Sequence, residues 1–143
     1  MTGGRRALQL SVAAASLVPL SVATISLLRG PIWLGQAAPI ATDLDSHFRY
    51  LSGIFLALGI AFASCIPAIE RKGPRFRLLA AMVVAGGIGR AWSAYQVGGP
   101  SAGHIAGLAI ELGLVPALVL WQAIVAVRYR TGSSPGPASA DGA

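Results

Sequence analysis

Cysteine, lysine and charge are all scarce in this sequence. The single cysteine, Cys65, excludes a disulfide within the chain and any metal site built on several thiolates. Charged residues make up 11% of the 143, and 55% are apolar; soluble domains carry about 25% charge. Acidic residues number only 5 against 11 basic ones, which leaves a net charge of +6 and an isoelectric point near 10.8. A basic balance of that kind is one mark of a nucleic-acid binder. A mean hydropathy of +0.68 excludes a soluble basic domain, so no nucleic-acid partner is expected.

Long apolar runs are what the sequence does have. Crossing a hydrocarbon core of about 30 Å takes about 20 helical residues, and four stretches qualify: residues 7–28, 50–69, 78–97 and 104–127. Backbone groups in lipid must bond within their own segment, so each stretch is expected to be an α-helix. The fold class is therefore all-α, a four-helix transmembrane bundle formed by residues 1–130 as one domain. Arg5 and Arg6 before the first run resemble the start of a secretory signal. A signal core is only about 7–15 residues, and no convincing cleavage site follows, so the first run is expected to stay as a helix. Residues 131–143, rich in Pro, Gly and Ser, are expected to be a disordered cytoplasmic tail.

Orientation follows from the basic residues near the helix ends. Arg5, Arg6, Arg71, Lys72, Arg75, Arg77, Arg128 and Arg130 lie on one side; only Arg29 and Arg49 lie on the other. Both termini are thus expected to be cytoplasmic, in a bacterial inner membrane. The stretch Arg71–Arg77 is expected to be a basic loop that sets this topology. Trp33, Trp92, Trp121, Tyr50, Tyr95 and Tyr129 fall near helix ends, as interfacial anchors do. Cys65, on an apolar face, is expected to pack inertly.

Two charges lie inside spans. A lone charge at mid-helix costs about 2.5–3.5 kcal/mol to insert, so such a residue faces a partner or a cavity. Arg90 precedes Gly98 by about 12 Å of helix and Glu111 follows His104 by about 10 Å, at about 1.5 Å per residue. Matched depth predicts an Arg90–Glu111 pair. Gly86, Gly87, Ser93 and Ala94 flank Arg90 at helical spacing, and such small residues are expected to form a close packing face. Arg49, with Ser46, Gly53 and Ala57, is read the same way. Pro116 cannot donate to the Leu112 carbonyl and is expected to kink the fourth helix. Asp45 or Ser46 is expected to cap the second helix, placing His47 and Arg49 in its first turn. The outer polar set is then Asp43, Asp45, His47, Arg49, Arg90, His104 and Glu111.

The run Asp45–Gly53, the Gly86-Gly87-Ile88-Gly89-Arg90 segment, Gly99-Pro100, Glu111 through Pro116 and Trp121-Gln122 together resemble one bacterial membrane family, Domain of Unknown Function 4345, over roughly residues 5–127. The fourth helix departs from it, with Val115-Pro116 where a proline pair is common. The resemblance implies the bundle and no activity.

Three functions fit these residues. The first is a non-catalytic module whose polar cluster binds a lipid or small amphipathic molecule, or which serves as an accessory subunit to a membrane protein partner. The second is a small proton-coupled transporter using Glu111. The third is an intramembrane enzyme with Glu111 or His47 as acid or base. No cofactor is implied, and no catalytic residues are assigned. Two histidines beside Asp43 and Asp45 are zinc-ligand types, but their spacing matches no metal motif. Gly86, Gly87 and Gly89 lie within a membrane helix with no preceding strand, which excludes a nucleotide loop.

Overall fold

The computed structural model describes residues 2–131, and these are helical nearly throughout. Helix α1 (Thr2–Arg29) ends at Gly30, whose φ of 64° starts a short 3-10 turn, Gly30–Leu34. Helix α2 (Thr42–Ala63) gives way to a second 3-10 turn, Ile66–Ala68. Helix α3 (Gly73–Val97) opens with Pro74, whose missing N–H costs nothing in a first turn, and stops at Gly98. The last span begins as α4 (Ala102–Ala109), passes through a π turn, Ile110–Leu114, and continues as α5 (Val115–Thr131). Four segments are long and apolar enough to cross a membrane: Gly3–Leu34, Thr42–Ala68, Gly73–Val97 and Ala102–Thr131. The chain is a multi-pass membrane protein, and Leu10, Leu17, Leu28, Leu78 and Leu120 remain exposed on its surface.

Several boundaries differ from the expectations. The first helix starts at Thr2 instead of residue 7. The second span loses its α-helical form at Ala63 instead of running to 69. The basic stretch is only partly a loop, because Gly73–Arg77 form the first turns of α3. The tail expected from residue 131 lies outside the described residues, apart from Thr131, which ends α5. Pro116 produces a π turn: the Val115 N–H donates to the Ile110 carbonyl, five residues back. A π turn of this kind absorbs the register change that a residue without an N–H imposes.

Two hairpins, α1/α2 and α3/α4–α5, meet mainly at the end that carries the termini. There α1 packs on α5, and Leu8, Val12, Cys65, Ile69, Phe76, Leu79, Leu118 and Val125 form the core. Phe62 and Phe76 meet edge to face at 5.3 Å between centroids, a geometry favoured by the ring quadrupoles. Cys65 is fully buried in this core, as packing. Toward the opposite, distal end the hairpins separate, since α1 makes little contact with α4.

Candidate functional site

Separation of the two hairpins leaves a cavity of about 830 Å³, within the range of about 300–1,000 Å³ typical of small-molecule sites. Phe48 through Phe62 of α2 line one wall, a rise of about 21 Å along the helix. Val12, Pro19, Val22 and Ser26 of α1 continue it, and Phe76, Val83 and Arg90 of α3 face them. The floor is Phe62, Phe76 and Leu118, next to the core. The cavity is partly open, for Val18 and Val22 on α1 and Gly103 and Ala106 on α4 line it and remain exposed.

Arg90 and Glu111 stand in this wall as the predicted pair. Arg90 Nε donates to Glu111 Oε2 and Nη2 to Oε1, each at 3.0 Å. This two-point geometry is the strong form of the Arg–carboxylate contact. The Glu111 side chain is 10% exposed and that of Arg90 33%. Gly87 makes the approach possible, because a Cβ there would lie 2.8 Å from Leu112 Cδ2 and 2.9 Å from Glu111 Cβ. Of the expected small-residue face only Gly87 is buried: Gly86 and Ser93 are exposed, Ala94 is half-buried, and a Cβ at Gly86 would meet nothing within 4 Å. His104 also lines the cavity, with Nδ1 2.9 Å from the Ser101 hydroxyl.

The rest of the outer set does not join them. Helix α2 begins at Thr42 after Ala41, with no side-chain cap, so Asp45 and Ser46 do not cap it. Starting the helix there moves His47 and Arg49 into the second turn. Asp45 instead accepts from Arg49 Nε at 2.8 Å. Arg49 Nη1 donates to the carbonyls of Leu27 and Leu28 at the end of α1. Both side chains press on Gly30, where any Cβ would collide with Asp45 Oδ1 and Arg49 Nη2. Asp45 and Arg49 therefore clasp α2 to the end of α1 and leave the cavity wall. Asp43 and His47 are exposed and make no hydrogen bond or ion pair among the described residues. Among the described residues, no group of three or more His, Cys, Asp and Glu is gathered for a metal.

The structure also contains polar features that sequence reasoning passed over. Trp33, read as an interfacial anchor, lines the cavity and donates from Nε1 to Ser26 Oγ at 3.2 Å. Near the termini, Glu70 is 5% exposed and accepts from Arg5 Nε at 2.8 Å. Gln9 and Gln122 donate to the Ile66 and Ile69 carbonyls at 2.7 and 2.8 Å, and Lys72 Nζ donates to Ser64 O. Arg5 Nη2 also donates to the Pro67 carbonyl, so Arg5, Gln9, Lys72 and Gln122 satisfy acceptors exposed where α2 breaks. An amide at Gln122 within an otherwise apolar run is the available signal for this cluster.

A model of the family described as Domain of unknown function (DUF4345) matches residues 7–122. No curated protein and no solved structure matches the chain.

Proposed function

Because the chain belongs to the DUF4345 family, whose description assigns no activity, we propose a function from the geometry: a non-catalytic membrane module that holds a lipid or small amphipathic molecule between its two hairpins. The observation that carries this reading is the apolar cavity of about 830 Å³ with an ion pair set in its wall. A site that is mostly apolar with a few fixed polar groups is the usual form of a small-molecule pocket. The opening between α1 and α4 suits entry from the bilayer. The preponderance of basic residues near the termini supports an inner-membrane orientation with both ends cytoplasmic, and an accessory role beside a membrane partner is compatible with the same site. A proton carrier or a general acid needs a carboxylate free to exchange its proton with a partner; here both oxygens of Glu111 accept from Arg90.

Native mass spectrometry of protein extracted from membranes tests the proposal. Protein with an open cavity is expected to retain a bound amphiphile, and Ala106→Phe or Val83→Trp, which fill the cavity, to lose it. Wild-type protein stripped of every amphiphile and unable to rebind one contradicts it.

A further inference from the structure

Building on the amphiphile reading above, we propose that the occupant is an uncharged, single-chain amphiphile. Its head accepts hydrogen bonds from Arg90, and its tail runs down toward Phe76. Among the described residues, Arg90 and Glu111 are the only Asp, Glu, Lys or Arg side chains in the cavity wall, which also holds His104, its Nδ1 paired with the Ser101 hydroxyl, and they neutralise each other through two hydrogen bonds. A charged head placed there leaves the water side of the membrane and meets no free counter-charge, which penalises it strongly. A neutral head carries no such penalty.

The hydrogen bonds that Arg90 still offers point to an acceptor. Pairing occupies Arg90 Nε and Nη2 and leaves Nη1 without a hydrogen-bond partner among the described residues, with a third of the side chain exposed. A guanidinium carries five N–H donors and no acceptor, so what Arg90 still presents is donors alone. Ser16 and Ser52 are committed, since their hydroxyls donate to the Val12 and Phe48 carbonyls of their own helices. Below Arg90, α3 lines the wall with the apolar Val83 and Phe76, the latter 14 residues back along the helix, which is about 21 Å and room for an extended acyl chain. Tail burial does not discriminate here, because lipid chains are as apolar as the cavity. Selection rests on the head.

A competition experiment decides this. Purified protein is offered an equimolar mixture of a monoacylglycerol, the fatty acid and the alkyltrimethylammonium of the same chain length, and the bound species are read by native mass spectrometry at neutral pH. Wild type is expected to prefer the monoacylglycerol by about tenfold or more, which corresponds to about 1.4 kcal/mol. Glu111→Gln, which frees a positive charge, shifts the preference toward the fatty acid; Arg90→Gln shifts it toward the ammonium. Arg90→Gln/Glu111→Gln removes both charges and keeps a charged head disfavoured, so it serves where a single variant fails to fold. A wild-type preference for either charged probe overturns the uncharged-head proposal while leaving the cavity reading intact. Failure of all three to bind, with Ala106→Phe indistinguishable from wild type, overturns both.

Discussion

At the residue scale the decisive object is one ion pair. Neither charge alone is tolerable at mid-span, and the two-point contact between Arg90 and Glu111 resolves both. Removing one partner leaves the other uncompensated, so Arg90→Gln and Glu111→Gln are each expected to lower the melting temperature in detergent. The double variant is expected to lose less than their sum, with a coupling of about 0.5–3 kcal/mol; strict additivity in that cycle refutes a direct pair. Gln122 is the second position of this kind. It is fully buried, its amide nitrogen serves the Ile69 carbonyl, and its Oε1 has no partner among the described residues. Gln122→Ala, which loses volume as well as the bond, is expected to cost roughly 2–4 kcal/mol. Gln122→Leu also removes the unpaired acceptor and is expected to cost less, a ranking that thermal unfolding of the two variants checks.

At the element scale, glycine acts differently at neighbouring positions of α3. Alanine is favoured over glycine in a helix by about 1 kcal/mol. Gly86→Ala, with open space at its Cβ, is expected to be neutral or mildly stabilising. Gly87→Ala collides with Leu112 and Glu111 and is expected to be destabilising by about 1–3 kcal/mol, as overpacked sites are. The test is the sign of the difference between the two melting temperatures. Gly30 plays the corresponding part for the α1 end, where its positive φ and the Asp45–Arg49 clasp leave no place for a side chain. The helices themselves and the Arg90–Glu111 pairing were legible in the sequence, because length, apolarity and matched depth are properties of a single chain read in order. The clasp was not. Asp45 and Arg49 sit four apart on one helix, yet their purpose depends on where α1 stops, which depends on Gly30. In the same way the burial of Glu70 depends on α2 breaking at Ala63, well short of residue 69, where the apolar run ends.

For the whole molecule, the feature that sequence reasoning could not supply is the empty volume. Composition gives four spans, but whether two hairpins lie flush or diverge is decided by side-chain fit along their length. Large residues, Phe62, Phe76, Leu118 and Val125, fill the end with the termini, whereas toward the distal end the same helices part around a cavity. The basic excess is concentrated at the filled end. Fusion reporters at Arg6, the 98–101 connection and Thr131 are expected to place both termini on the cytoplasmic side and that connection opposite; the reverse result refutes the orientation. The most direct test of the central claim is an experimental structure determined in a lipid nanodisc. Elongated density is expected between Phe48–Phe62 of α2 and Val83–Arg90 of α3, with its polar end beside Arg90. Density-free helices closed against one another, with α1 packed on α4 and no cavity left, would contradict it.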